Sequence, residues 1–229
     1  MPSAAGAGGA GAGLVRRTVS VAAGARFAGI AAAGGELWFV IAGSGRLCTR
    51  AAGGPDAPET PGTPVDGDTG MWLPPGCGYR LDAGTAVRLD AVALPAAAPA
   101  AAGPAQPPQA VRLADCAAER TGDRRFRVLL GPGRGCEAAT QFVGEIPPGR
   151  APEHSHPYDE VVLVLEGTGV AHAGGRSRPL APGTSVHLRR GLPHCLENTG
   201  HETLVVLGVF HPGGSPAAKS APAAPGGVP

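Results

Sequence analysis

The run Gly149-Arg-Ala-Pro-Glu-His154-Ser-His156-Pro-Tyr-Asp-Glu160 gathers side chains that bind cations. His154 and His156 are two residues apart, so an extended strand projects both imidazoles from one face. Glu160 opens the next apolar run after a turn containing Pro157 and can swing back to the same side. His194 follows later, in Gly191-Leu-Pro-His194-Cys-Leu-Glu-Asn198. Three neutral imidazoles and one carboxylate form a borderline-to-hard donor set for one divalent ion. Fe(II), Mn(II), Ni(II), Cu(II) and Zn(II) all suit it, and about two or three positions of an octahedral ion stay open for substrate or dioxygen.

Other chemistries are poorly supplied. The five cysteines (Cys48, Cys77, Cys116, Cys136, Cys195) are odd in number and form no C-x-x-C pair. That argues against a disulfide framework or a thiolate zinc site and for free thiols in a reducing compartment. With 19 basic against 18 acidic residues, the net charge of +1 gives no reason to expect nucleic acid or an anionic membrane as a partner. Met1 to Gly13 lack a basic segment followed by a leucine-rich one, and no apolar run approaches a bilayer span. A cytoplasmic protein without nucleic-acid or membrane partners is expected.

The elements that position the donors are read from punctuation and patterning. Gly (38) and Pro (25) resist helix interiors, yet 43% of the residues are hydrophobic, enough to bury a core. Short apolar runs at Leu37 to Ile41, Ala86 to Val92, Gln141 to Ile146, Val161 to Leu165, Thr184 to Leu188 and Leu204 to Phe210 alternate with turn residues, the pattern of a sandwich or barrel. A helix is expected only around Leu113 to Arg120. Composition divides the chain into a tail (1–13), a first unit (14–94), a Pro/Ala linker (95–110), a second unit (111–211) and a Pro/Ala/Gly tail (212–229).

The units echo each other. Glu36-Leu-Trp-Phe-Val-Ile-Ala-Gly43-Ser-Gly45 matches Glu160-Val-Val-Leu-Val-Leu-Glu-Gly167-Thr-Gly169 at an offset of 124 (160 − 36). Tyr79 stands opposite His194 at an offset of 115 (194 − 79), the difference being an insertion assigned to the loop Ala51 to Asp68.

These residues resemble the two signature motifs of the cupin superfamily. His154, His156, Glu160 and Gly167 fit H-x-H-x3-E-x6-G, with Gly149 one residue nearer than usual. Gly183, Gly191, His194 and Asn198 fit the second motif, with Arg189 in place of proline. The resemblance implies an all-β chain of two tandem cupin barrels (double-stranded β-helix or jelly roll). It further implies His154, His156, Glu160 and His194 as metal ligands, Fe(II) being the favoured ion. It also implies a small-molecule substrate and a homodimer. Three functions compete: an Fe(II)-type dioxygenase, a non-redox isomerase, decarboxylase, cyclase or lyase, and a non-catalytic ligand-binding barrel.

The first unit departs from this pattern. The offset of 124 puts Ile30 and Ala32 at the positions of His154 and His156, and only Glu36 survives. Trp38, on the face of Glu36, is expected to fill the volume of a metal pocket, and Glu36 to hydrogen-bond Tyr79. The first barrel is thus read as structural.

Among the remaining candidates, His172 is read as a pocket acid or base and Tyr158 as a phenol orienting substrate at the mouth. His187 is weighed as pocket-facing, and His201 and His211 are placed at the surface. Gln141 and Glu145 share one face, either a pocket wall or a solvated surface. Cys195 points away from His194 by alternation. Arg124, Arg125 and Arg127 read as a solvated strand edge. Val162, Val164 and Val143 give an apolar pocket, which points to a substrate other than a bare oxyanion.

Overall fold

The computed structural model describes residues 13–52, 58–96 and 107–218. The strands in chain order are β1 (Val15–Val21), β2 (Arg26–Ile30), β3 (Glu36–Ala42), β4 (Ser44–Arg50), β5 (Thr63–Asp66), β6 (Thr69–Leu73), β7 (Gly78–Ala83), β8 (Val87–Ala93) and β9 (Gln109–Arg112). They continue with β10 (Glu119–Thr121), β11 (Arg124–Leu130), β12 (Thr140–Ile146), β13 (Gly149–Arg150), β14 (Asp159–Glu166), β15 (Gly169–Ala173), β16 (Arg176–Leu180), β17 (Ser185–Leu188), β18 (His194–Asn198) and β19 (Leu204–His211). The expected all-β fold is what the chain adopts. No helix among the described residues is long and apolar enough to cross a membrane.

Each half is a pair of antiparallel sheets. The first half contains the order β1-β8-β3-β6-β9 and the order β2-β7-β4-β5. The second contains β10-β11-β12-β19-β14-β17 and β13-β18-β15-β16. Setting aside β9, β10 and β11, the orders correspond strand for strand: β1-β8-β3-β6 with β12-β19-β14-β17, and β2-β7-β4-β5 with β13-β18-β15-β16. The insertion falls where expected, since residues 51–62 join β4 to β5 while residues 174–175 join β15 to β16.

The long apolar runs have a physical reason beyond strand formation. In β3, Trp38 and Val40 fill the interior of the first half, while Leu37 and Phe39 face the second half. In β14, Val162 and Val164 fill the second interior, while Val161 and Leu163 face the first. Both strands are buried on two faces, which removes the polar alternation of a half-exposed strand. The two halves therefore pack large sheet against large sheet through one apolar layer. Gln141 crosses that layer, its Nε2 donating to the Trp38 carbonyl at 3.1 Å, so it is neither pocket wall nor solvated face. Val143 belongs to the same layer and not to the pocket.

The Gly-x-Gly turns close β3 and β14 with positive φ at Gly43 (91°) and Gly167 (80°), a region unfavourable to residues with a Cβ. A Cβ at Gly43 would strike the Ala86 carbonyl oxygen, and one at Gly167 the Thr203 carbonyl oxygen.

Several boundaries differ from the sequence reading. The expected helix at 113–120 is a single 3-10 turn, Leu113–Asp115, followed by β10. Of the linker 95–110, residues 97–106 lie outside the described residues, and Gln109–Arg112 forms β9 on β6 of the first half. Residues 1–12 and 219–229 also lie outside the described residues. Residues 212–218 pack on the second half: Gly213 N–H donates to the Ala138 carbonyl at 3.1 Å, and Gly214 N–H to Thr140 Oγ1 at 3.0 Å.

Candidate metal centre

The two motifs are stitched together through their backbones. His154 N–H donates to the His194 carbonyl at 3.0 Å, and His194 N–H to the His154 carbonyl at 2.9 Å. Gly191 N–H donates to the His156 carbonyl at 2.9 Å. The turn holding Arg189 still closes, with Leu192 N–H donating to the Arg189 carbonyl at 3.1 Å, so the missing proline leaves the loop intact. Asn198 anchors the end of β18, its Nδ2 donating to the Ile146 and Glu202 carbonyls at 2.8 Å each.

This stitching brings His156, Glu160 and His194 together, all buried, with one donor atom of each within 4.8 Å of the others. His154 lies beside them, half-buried, its ring centroid 4.6 Å from that of His194 and 6.1 Å from that of His156. Sequence spacing thus located four neighbours, of which three close into the tight cluster and the fourth flanks it. The Nδ1 atoms of all three histidines face carbonyl oxygens: Tyr158 at 2.9 Å for His156, Leu192 at 2.8 Å for His194 and Pro152 at 3.3 Å for His154. A carbonyl only accepts, so each Nδ1 carries the proton and each neutral ring presents Nε2 as a lone pair.

That assignment tests whether a cation fits. His156 Nε2 lies 2.9 Å from Glu160 Oε2, and His194 Nε2 lies 3.8 Å from the same oxygen. At 2.9 Å, two acceptors face each other and a cation, a proton or a metal ion, must lie between them. Glu160 is 7% exposed, where an unpaired carboxylate is costly. The donor set fits a divalent ion. Burial works against a charged His156, yet the Glu160 carboxylate overrides it and raises the ring's pKa. Burial instead lowers that of His194.

A cavity of about 80 Å³ adjoins the cluster, its wall formed by Phe126, Phe142, Leu188, Leu196, Val206 and Phe210. Pro216 and Ala218, from the segment after β19, cover part of its mouth. Tyr158 holds that segment. Its ring stacks on His156 (centroids 4.2 Å apart, planes at 15°), and its hydroxyl donates to the carbonyls of Ser215 and Ala218 at 3.0 and 3.3 Å. Burial pushes the phenol's pKa well up. The hydroxyl is directed at the covering segment, away from the role of orienting substrate expected of it.

His172 is outside the cavity. Ala171 faces the barrel interior, so alternation turns His172 outward, where Nδ1 pairs with Ser177 Oγ at 2.9 Å and Nε2 with Glu197 Oε2 at 2.8 Å. His187 is exposed on β17 for the same reason, and His201 is exposed, as expected for a turn. His211 ends β19 half-buried, Nδ1 facing the Ala138 carbonyl at 3.0 Å. Cys195 is buried on the face opposite His194, toward Arg150.

The arginine run separates by alternation. Arg125 and Arg127 share the outer face with Glu145, pairing with its two oxygens at 2.7 and 2.8 Å. Arg124 turns inward with Phe126 and lines the cavity, its Nη2 donating to the Leu196 carbonyl at 2.8 Å. The strand is no sheet edge, because β10 and β12 flank β11. Sequence reasoning missed Arg124 because three like charges in four residues look equivalent until a register is assigned; the even spacing of Arg124 and Phe126 was the available signal.

The first half puts other residues at the same positions. The pair Thr49↔Tyr79 repeats Ala173↔His194, so Tyr79 does stand in place of His194. The pair Gly29↔Tyr79 repeats the His154↔His194 bridge. The counterparts of His154 and His156 are therefore Gly29 and Ala31, one residue before the Ile30 and Ala32 found by a constant offset. Ile30 is 73% exposed. A Cβ at Gly29 would lie 2.6 Å from the Tyr79 hydroxyl oxygen, so the phenol occupies the space of the absent side chain. Glu36 accepts from Arg17 Nη2 at 2.8 Å, Trp38 Nε1 at 2.7 Å and Ala32 N–H at 3.2 Å. Tyr79 also leans on Arg17, and the expected Glu36–Tyr79 bond is replaced by this shared guanidinium.

No curated protein sequence matches the chain. Among solved structures, it resembles Bacillus subtilis oxalate decarboxylase, a protein with Mn(II) centres, at 14% identity and a TM-score of 0.73, covering 91% of this chain and 71% of that one. A cupin 2 conserved barrel domain protein from Leptotrichia buccalis is 16% identical with a TM-score of 0.57, covering 87% of this chain and 84% of that one. At these identities the likeness is one of fold. Residues 142–210 match the family model of the cupin domain, and the jelly-roll fold of the chain is that of cupin structures.

Proposed function

We propose that the second half is a mononuclear metal-dependent enzyme acting on a small organic molecule, with Fe(II)-type dioxygenase as the leading reading. The observation that supports it is the buried cluster itself: imidazoles held by carbonyls with Nε2 turned toward one buried carboxylate, beside an apolar cavity. His156, Glu160 and His194 would hold the ion, with His154 completing the set. When bound, such an ion supplies a redox or Lewis-acid centre with open positions for substrate. The phenylalanines and the covering segment exclude bulk water from that point.

The inventory of proton-moving groups favours oxygen chemistry over isomerisation. Apart from the ligand candidates, the titratable groups lining the cavity are Arg124, Arg125, Glu145 and Tyr158. Glu145 is tied to two arginines, and the Tyr158 hydroxyl to two carbonyls. None stands ready as a general base near neutral pH.

A second reading, a non-redox decarboxylase, is favoured by the fold likeness to oxalate decarboxylase. The proposal includes a homodimeric assembly and a cytoplasmic location, in keeping with five free cysteines. The deciding experiment is elemental analysis of the purified protein, followed by turnover with small carboxylates, phenols and diketones in an oxygen electrode. Oxygen uptake that needs Fe(II) supports the dioxygenase. Turnover unchanged without oxygen replaces it with the non-redox enzyme, and bound metal with no turnover replaces both with a binding barrel.

A further inference from the structure

Arg124 is a cation where the sequence led one to expect a purely apolar wall. Its guanidinium has five N–H donors, and among the described residues it makes one hydrogen bond, to the Leu196 carbonyl. It is half-buried, and burial lowers its pKa. Its neighbour Arg125 also borders the cavity but is neutralised by Glu145, which Arg127 shares. Phe126, next on the same face of β11, packs with Phe142, Tyr158 and Phe210. A fork of donors thus meets the space beside the cluster, where the Arg125–Glu145 pair is already satisfied and most of the remaining wall is hydrocarbon.

The charge balance points the same way. With three neutral imidazoles, one carboxylate (−1), a divalent ion (+2) and Arg124 (+1), the site carries +2 before a ligand enters. Arg presents paired N–H groups that match a carboxylate, and charge-assisted bonds of this kind are strongest away from water. A cavity of about 80 Å³ restricts the remainder of the ligand to a few heavy atoms.

We propose that Arg124 anchors the carboxylate of the substrate and that the site takes small monocarboxylates with a short apolar portion. This rests on the metal-centre reading and narrows its substrate class. The anchor comes from β11, outside residues 142–210 that match the cupin domain.

The test uses the full chain loaded with Mn(II), with isobutyrate and its uncharged isostere isobutyramide as probes in calorimetric titrations. The wild-type protein is expected to bind isobutyrate about tenfold or more tightly than isobutyramide. Arg124→Gln keeps a donor for the Leu196 carbonyl and removes the charge. It should lose that preference while retaining Mn(II) by elemental analysis and its melting temperature. Arg124→Lys should keep part of the preference, and Arg176→Ala, exposed on β16 away from the cavity, should keep all of it. Equal binding of the two probes by the wild type, or an undiminished preference in Arg124→Gln, overturns the proposal. A wild-type protein that retains no metal overturns the metal-centre reading instead, and the same comparison without metal then still decides the role of Arg124.

Discussion

Two carboxylates at one register position meet opposite fates in this chain. Glu36 and Glu160 both lie at the start of corresponding strands of the two large sheets, β3 and β14, and both are buried. Glu36 has its own cation: Arg17, at the β1 position that Phe142 holds on β12, together with the Trp38 indole. Glu160 faces imidazole nitrogens, and among the described residues no arginine lies within ion-pair distance of it, Arg124 acting on it only as a more distant charge. Around Glu36 the space is filled by Phe27, Trp38 and Tyr79, with Trp38 and Tyr79 rings 4.6 Å apart. Around Glu160 a cavity remains. The lesson is that a buried carboxylate specifies only the need for positive charge; the neighbouring strands decide whether a guanidinium or an exchangeable ion provides it.

Experiments can break or sharpen that contrast. The largest effect is expected from His156→Ala, which should abolish metal retention by elemental analysis while both halves stay folded, since the apolar core rather than an ion holds a domain of this size. Loss of the cooperative thermal transition would make the ion structural and end the contrast. Metal retention in the wild type should also fall as pH drops. Protons compete for Nε2, and the raised pKa of His156, caused by the Glu160 carboxylate, strengthens that competition. Retention that stays flat to about pH 5 would exclude an imidazole site.

Next in size is Trp38→Ala. This fully buried side chain fills the first interior, so its loss should cost about 3–5 kcal/mol in urea unfolding and leave metal content unchanged. A smaller effect, about 1–3 kcal/mol, is expected for Arg17→Ala, which strips a buried carboxylate of one partner but leaves the indole. If Arg17→Ala instead gained a metal, charge alone would separate the two halves.

Tyr158→Phe tests the mouths, one covered by the chain and the other bearing the exposed Ile30. Removing the hydroxyl should speed amide exchange over residues 213–218, at a cost near 1 kcal/mol, with the metal retained.

The smallest effect concerns Asp90, whose counterpart in the second half is Leu207. Burial pushes the Asp90 carboxyl up to about 6 from its ordinary 3.8, although the Arg16 guanidinium, its Nε 2.7 Å away, works in the opposite direction. The folded state therefore holds this proton more tightly than the unfolded chain. The stability it gives is full below pH 3.8 and is lost as pH rises toward about 6. Asp90→Asn should flatten this slope in thermal melts across that window. An unchanged slope would assign it to other groups.

The sequence by itself determined the chemistry and the local geometry. Two histidines at i and i+2, a glutamate after a proline turn and a histidine four residues before asparagine are short-range patterns, and strand alternation fixes their relative faces. It likewise marked Trp38 and Tyr79 as replacements, and placed the insertion between two strands. Only the tertiary structure decided which face was inside. Leu37 and Trp38 are equally apolar, yet one meets the other half and one fills its own, because both sides of β3 are buried. The same ambiguity hid Arg124, sent Gln141 and Val143 into the layer between the halves, and turned His172 outward. Register and long-range contact are set by the sum of many weak packing choices across strands far apart in the chain, and no single residue's type records that sum.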